Sequence, residues 1–409
     1  MQRVRMSLPY YENLGWKPVV LYVSPDMNER GKDELLLRTV SSDLTIYTTS
    51  AFSVRWTRKL GLGSLALRSL PFLFAAGNQI IRKEKPDLIF FSTTDFPVMI
   101  LGRLWKFYHN IPYVLDIQDM WYSTYYLDKP KEERPKKFWF SYYLNKFMEP
   151  FAMRKASGVM AVSSGYITIL QKRYPNLTND NCMVLPFGGF DRDMETAKSL
   201  TTNETDKRFI TIRYVGRGGH DMKESLHLIF SLFKKGLNEN PELFSRVRFE
   251  FRGTSYAPAG KGIPTILPVA EKFGVENYIS EITDRMPYFE SLRFLMDSDL
   301  LFVPGSNDPH YTASKIYPYI LIKKPILAVF HEKSGVVSVL KTVSAGEVIT
   351  FNESEISESK LDEAFGIFQE LLKKIPFTPE TNWELFKPFT AEFMTKRMVD
   401  FFDGCLKRD

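Results

Sequence analysis

The sequence predicts an α/β protein built from two doubly wound halves, and three observations predict it. The chain is 409 residues long, too long for one ordinary hydrophobic core and a natural length for two domains. Short apolar runs alternate with longer helical patterns, as they do where helices join parallel strands. Between two series of such runs lies 197–207, rich in Ser, Thr, Asn, Asp and Glu and without apolar periodicity. That stretch reads as a linker.

The first series of expected strands is Pro18–Val23, Leu44–Tyr47, Leu88–Phe91, Tyr113–Ile117, Gly158–Val162 and Met183–Leu185. The second is Ile210–Val215, Arg248–Arg252, Leu300–Val303, Ile326–Val329 and Glu347–Thr350. Their near-continuous Val, Ile, Leu and Phe fit strands buried on both faces. Arg3 to Leu14 reads as a helix, so the chain opens without the strand and Gly-rich turn that normally begin a doubly wound domain. The expectation is that a natural N-terminal segment supplying them is missing, or that the sheet is reduced. The last segment, Phe389 to Cys405, places Phe393, Met394, Met398, Phe401 and Phe402 near helical spacing.

Composition narrows the class. With 44% hydrophobic and 25% charged residues the chain reads as globular, neither disordered nor collagenous. Two cysteines, Cys182 and Cys405, exclude a disulfide scaffold and point to a reducing compartment. No signal-peptide pattern is visible, and Arg68 and Pro71 interrupt the most apolar window, Gly61 to Ile80, which argues against a spanning helix. The expected location is cytoplasmic.

The charge is uneven. Residues 1–200 hold 27 Lys and Arg against 19 Asp and Glu, whereas the remainder holds 27 against 29. The excess concentrates in 129–155, with eight basic and three acidic residues. There Trp139, Phe140, Tyr142, Tyr143, Phe147 and Phe151 interleave with Lys136, Lys137, Lys146 and Arg154. Such a segment suits an anionic membrane surface at the inner face, or equally a core helix with a solvated basic face. No nucleic-acid motif supports a third partner.

Two loops carry the candidate chemistry. In Tyr214–Lys223 an apolar strand ends at Val215 and a helical pattern begins near Lys223. Gly216, Gly218 and Gly219 allow a tight turn and close approach of a ligand, a helix N-terminus favours anions, and Arg217 and Lys223 add two cations where a diphosphate could sit. The second loop, Pro304–Lys315, also follows a parallel strand at its carboxyl end, where open α/β sheets bind ligands. Thr312 or Ser314 can cap the next helix, Lys315 adds charge, and Pro318 fits a first helical turn. In the first half, Gln118 and Asp119 end the strand Tyr113–Ile117; Asp119 suits sugar hydroxyls or a helix cap. Ser163 and Ser164 end the next strand and suit a cap. Asp191-Arg192-Asp193 and Asp297-Ser298-Asp299 spell D-x-D, yet read as caps or surface pairs. The five histidines have no metal-ligand spacing, so no metal site is expected.

These motifs together resemble family-4 glycosyltransferases of the GT-B fold over nearly the whole chain. Phe209 to Lys223 is similar to that family's strand–G-R–loop–K element, whose Arg and Lys bind the donor diphosphate. Ile111 to Trp121 resembles its strand ending in His-Asp or Arg-Asp, and Ala156 to Asp191 its A-V-S … P-N-G-V-D run. Asp299–Pro304 and Ser314–Ala328 resemble A-D-V-L-L-x-P … S-K-x-x-E-Y-x-x-x-G-K-P-V-L-A. The family's E-x7-E pair falls on His310 and Pro318, so both carboxylates are absent, and Gln118 stands where many members have a His.

The resemblance implies two Rossmann-like domains facing across a cleft: 1–196, probing an acceptor and lacking its first strand; a linker, 197–207; 208–386, binding the nucleotide sugar; and 387–409, a helix crossing back. It implies a glycosyltransferase of hexosyl type, retaining and metal-independent, without a cofactor, in cell-surface polysaccharide synthesis. The donor is a nucleotide diphosphate sugar and the acceptor a glycan or lipid-linked glycan. Arg217, Lys223, Gln118 and Asp119 are the expected catalytic residues. Gly216, Gly218, Gly219, Gly253, His310, Thr312, Ser314 and Lys315 are expected to bind the donor. The missing carboxylates keep a non-catalytic sugar-nucleotide-binding protein, and a sugar-nucleotide epimerase, open as alternatives.

Overall fold

The computed structural model describes residues 2–27, 34–41, 43–58, 62–122, 127, 130–131, 134, 138–202, 206–308, 311, 313–352 and 357–408, with backbone alone at 34, 37 and 38. The chain divides into two compact units, Met1–Phe187 with Ala391–Asp409, and Gly188–Thr390.

In the first unit β1 (Val19–Val23) pairs in parallel with β2 (Thr45–Thr49). A separate parallel sheet runs in the order β3 (Ile89–Ser92), β4 (Tyr113–Ile117), β5 (Gly158–Ala161), β6 (Cys182–Val184). Among the described residues no strand pairing joins the two sheets. The helices are α1 (Gln2–Ser7), α2 (Val54–Thr57), α3 (Leu65–Glu84), α4 (Ile100–His109), α5 (Phe138–Met153) and α6 (Ser164–Arg173). Strand β4 is buried from end to end, and glycines let helices close on it: a Cβ at Gly102 would lie 2.5 Å from the Tyr113 ring. Arg68 does not merely interrupt an apolar window. It is buried and donates to the carbonyls of Phe52 and Met27.

The single helix expected over 3–14 breaks up. α1 stops at Ser7, and two 3₁₀ turns follow at Leu8–Tyr10 and Glu12–Leu14. Pro9 has no N–H to continue the helical ladder, and Gly15, at φ +81°, ends the run in a left-handed conformation.

The second unit holds one parallel sheet of β7 (Ile210–Val215), β8 (Val247–Arg252), β9 (Ile279–Ile282), β10 (Leu300–Pro304), β11 (Ile326–His331) and β12 (Glu347–Phe351). Its strand order is β12-β11-β10-β7-β8-β9, the doubly wound order, with the switch point between β7 and β10. β9 has no counterpart among the expected strands, because Ile279-Ser280-Glu281-Ile282 alternates half-buried and exposed residues at a sheet edge and gives no apolar run. The helices are α7 (Asp191–Lys198), α8 (Lys223–Glu239), α9 (Pro241–Phe244), α10 (Leu267–Phe273), α11 (Tyr288–Met296), α12 (Ile316–Leu321), α13 (Gly335–Val343), α14 (Glu358–Lys374) and α15 (Trp383–Phe386).

The boundary between units lies at Phe187/Gly188, ahead of the polar stretch 197–207. Composition misplaces it because α7, polar along most of its length, buries Met194 and Ala197 and packs against α11. Asp193 is buried there and accepts a 2.8 Å hydrogen bond from Tyr288. The other D-x-D is also structural: Asp299 accepts from the Thr211 amide and hydroxyl at 2.8 and 2.9 Å, and Asp297 pairs with Arg293.

The chain ends in α16 (Ala391–Arg408), part of the first unit. Met398, Phe402 and Cys405 are buried, and Arg397 donates to the Val184 carbonyl at 3.1 Å. β5 opens with Gly158, where a Cβ would lie 2.6 Å from the Cys405 sulfur. That absent side chain lets the helix close on the strand.

Candidate functional site

The loops after β7 and β10 flank the switch point of the second sheet. β7 is buried through Tyr214, so its last ring lies inside the unit while the chain turns out at Gly216. Gly216 has φ +150°, and a Cβ there would run into the Lys315 ammonium and lie 2.9 Å from the Tyr214 hydroxyl. At Gly218 a Cβ would come within 2.6 Å of the Thr265 hydroxyl, and at Gly219 it would strike both the Arg217 guanidinium and the Asp221 carboxylate. The Gly216 and Gly218 amides are engaged, donating to the carbonyls of Arg252 (3.0 Å) and Thr254 (2.9 Å). These two glycines therefore serve by clearance rather than by offering amides. Gly253, at φ +69°, ends β8 in a conformation that favours glycine.

Arg217 donates Nη1 and Nη2 to the two Asp221 carboxylate oxygens, each at 2.7 Å. Burial alone would raise the Asp221 pKa, but the bonds and charge of Arg217, with a bond from Ser306, outweigh it and hold the carboxyl below its usual range. The Asp221 carbonyl in turn accepts the Asn307 amide at 2.8 Å. Ser225, buried in the first turn of α8, donates to the carbonyls of Gly305 (2.7 Å) and Val329 (2.9 Å). The two loops are thus tied to one another.

Tyr214 is the hub of the cluster. Its hydroxyl donates to the Arg217 carbonyl at 2.8 Å and accepts from Lys315 Nζ at 2.6 Å, and the same ammonium sits 4.3 Å from its ring centre. Burial pushes the Lys315 pKa down to about 7, with Arg217 and Arg285 adding to the shift. Lys223 opens α8 with its side chain exposed and no ion-pair partner among the described residues. Ser314 does not cap α12. The N-cap position falls on Lys315, without a side-chain hydrogen bond, because the helix begins one residue later than a serine cap requires. His310 and Thr312 lie outside the described residues.

In the first unit, Gln118 Nε2 donates to Ser92 (2.8 Å) and to Asp116 Oδ2 (2.7 Å). Asp116 Oδ2 also accepts from Arg3 at 2.8 Å and Ser92 at 2.7 Å, while its buried Oδ1 has no partner among the described residues. Asp119 is exposed and, among the described residues, accepts only the neighbouring Met120 amide, at 2.8 Å. Ser163 accepts from the Gly165 amide and caps α6. Gln118 and Asp119 belong to the first unit, and Arg217, Lys223 and Lys315 to the second.

Sequence reasoning missed Asp116, Arg3, Tyr214 and Asp221. Asp116 was visible as one charge inside an apolar strand, a placement that demands a partner. Arg217 and Asp221, four residues apart, also form an opposite-charge pair. Nothing local marks Tyr214, whose role depends on a lysine 101 residues away.

No protein-family model matches the chain, and no curated protein matches it in sequence. Its backbone is similar to solved structures along almost its full length. Anabaena HepE, determined with UDP and glucose, is 15% identical, with 98% of this chain and 94% of that one covered at a TM-score of 0.58. A glycosyltransferase from Rickettsia africae is 15% identical, covering 100% and 95%, also at 0.58. The N-terminal domain of trehalose-6-phosphate phosphatase from Candida albicans is 14% identical, covering 98% and 92%, at 0.60. With two α/β units on parallel sheets, the chain has the GT-B fold.

Proposed function

We propose that the protein is a glycosyltransferase that moves a hexosyl group from a nucleotide diphosphate sugar to a glycan or lipid-linked glycan acceptor in cell-surface polysaccharide synthesis. One observation carries the reading: Arg217 and Lys315 are linked through Tyr214 on the loops that flank the sheet's switch point, with Lys223 opening the adjacent helix. Glycosidic cleavage pushes negative charge onto the departing diphosphate, and fixed cations there stabilise the transition state more than the ground state. The HepE structures, which hold UDP with glucose or UDP-glucose, support a uridine nucleotide as the first donor to try. The resemblance to family-4 enzymes supports a retaining, metal-independent reaction without a cofactor. Gly253, Ser314, His310 and Thr312 belong to the donor side of this proposal, and Gln118 and Asp119 to the sugar and acceptor side.

We place the protein on the cytoplasmic side, in peripheral contact with membrane through 129–155. Among the described residues no helix is long and apolar enough to cross a bilayer.

A second reading is favoured by Pro318, which stands in α12 where the family resemblance expects a carboxylate: donor binding without transfer. A sugar-nucleotide epimerase is a third and weaker reading. A thermal-shift panel of UDP-, GDP- and dTDP-sugars, followed by product analysis with and without glycan acceptors, tests these readings. Transfer to an acceptor supports the proposal. Binding with no product favours the second reading, sugar interconversion without an acceptor favours the epimerase, and no binding by any donor rejects all three.

A further inference from the structure

We propose that Tyr256 and Arg285 form a stacking shelf for the nucleobase of the donor. The shelf rests on the donor reading above, whose residues hold the diphosphate and the sugar. Tyr256 stands in the loop after β8 and is 73% exposed. Arg285, in the loop after β9, is exposed too, and its guanidinium lies 4.6 Å from the Tyr256 ring centre. Among the described residues no carboxylate pairs with that guanidinium. A lone exposed ring needs no explanation, but this one is fastened. The Gly253 amide donates to the Ile282 carbonyl (2.9 Å), the Ser255 amide to the Thr283 carbonyl (3.1 Å) and the Gly260 amide to Asp284 Oδ1 (2.9 Å). The loop is thus tied to its neighbour on both sides of Tyr256, and a guanidinium against an aromatic ring adds a cation–π contact to the tie.

Position identifies the occupant. The second sheet runs β10-β7-β8-β9, with neighbouring strands about 4.8 Å apart. Arg217 and Lys315 stand on the loops after β7 and β10, so the loops after β8 and β9 follow outward along the same carboxyl edge. The Gly218 amide donates to the Thr254 carbonyl at 2.9 Å, two residues ahead of Tyr256. Electrostatics agrees. Burial is the main cause of the pKa shifts at Lys315, Tyr214 and Tyr311, but Arg285 adds to the lowering of the first and Tyr256 to the raising of the other two. A nucleotide with its diphosphate at Arg217 and Lys315, and its nucleoside extended along this edge, brings its base to Tyr256. Both shelf groups suit that partner, because every base offers a π face and both Tyr and Arg stack on it. The hexosyl end of the donor has no planar π face.

Calorimetry on the full chain with UDP, GDP, dTDP and inorganic pyrophosphate tests this. Tyr256→Ser is expected to weaken the nucleoside diphosphates that the parent binds by roughly tenfold or more and to leave pyrophosphate unchanged. Tyr256→Phe, which keeps the ring, should stay near the parent. Unchanged nucleotide affinity in Tyr256→Ser, or an equal loss for pyrophosphate, would overturn the shelf. A loss seen with UDP-glucose but not with UDP would overturn it in favour of the sugar end. A parent that binds pyrophosphate but no nucleotide removes the shelf alone, whereas one that binds none of the four removes the donor reading and the shelf with it. The thermal midpoint reports folding. Should Tyr256→Ser fail to fold, Tyr256→Leu, with bulk but no π face, serves instead and is expected to show the same loss.

Discussion

The Arg217 guanidinium and the Asp221 carboxylate meet through two parallel hydrogen bonds of 2.7 Å. The carboxylate fixes the guanidinium plane and spends two of its five N–H donors. On the proposed reading the donors left over, beside the Tyr311 hydroxyl that also bonds this side chain, would take phosphate oxygens in a predefined orientation, which is how preorganised charge is most effective.

Arg217→Ala is expected to lower transfer by roughly 10²–10³ while the thermal midpoint stays close to that of the parent. Arg217→Lys should not restore the rate, because a lysine cannot reproduce the planar fork that Asp221 orients. Donor-consumption kinetics on both variants decide the matter. Full activity in either would remove the diphosphate role from this residue.

Gly219→Ala tests the same pair without deleting a charge. The added methyl would collide with both the Arg217 guanidinium and the Asp221 carboxylate, and those flexible ends must swing away. We expect roughly tenfold weaker UDP binding by calorimetry, on the view that a misplaced charge-assisted hydrogen bond costs about 1.5 kcal/mol. Unchanged binding would mean that the pair need not hold its geometry.

Lys315 predicts the pH dependence. With its pKa lowered to about 7 by burial and by Arg217 and Arg285, a diphosphate alongside would favour the charged form and raise the pKa. Binding should then take up a proton above neutrality, and affinity should be full below about 7 and fall as pH rises past it, by at most about tenfold per unit. Calorimetry at pH 8 in two buffers of different ionisation enthalpy measures that uptake, and Lys315→Met should abolish it. The stability contribution has its own sign. The folded value lies below the unfolded value of 10.5, so the unfolded chain binds more protons between about 7 and 10.5, and the penalty this lysine imposes on folding fades as pH rises across that window.

Asp116→Ala strands the Arg3 guanidinium, which is buried beside it. Removing one partner of a buried ion pair costs about 3–5 kcal/mol, and here Gln118 and Ser92 also lose an acceptor. A chemical-denaturation series on the full chain should register that loss. A change under about 1 kcal/mol, the level of an exposed pair, would contradict the geometry.

Much of the fold was legible because buried parallel strands leave a local trace. Tyr113–Ile117 and Ile210–Val215 are largely apolar in sequence and buried on both faces, and each coincides with a strand of the structure. β9 escaped because an edge strand needs only one buried face. The boundary near Phe187 escaped for a related reason: α7 looks like linker by composition, yet a few apolar residues and one buried aspartate anchor it. At the site, the glycines and cations announced themselves by spacing along the chain, whereas the Ser314 cap did not form.

By itself the sequence determined the two α/β halves, the order along the chain of their described strands other than β9, and the loops that carry glycine and positive charge, since all of these depend on neighbours a few residues apart. Only the tertiary structure decided that Tyr214 joins Lys315 to the Arg217 loop and that Asp116 holds Arg3 and Gln118 together. Those relationships arise between residues distant in sequence, where packing and the need to pair every buried charge select the partner.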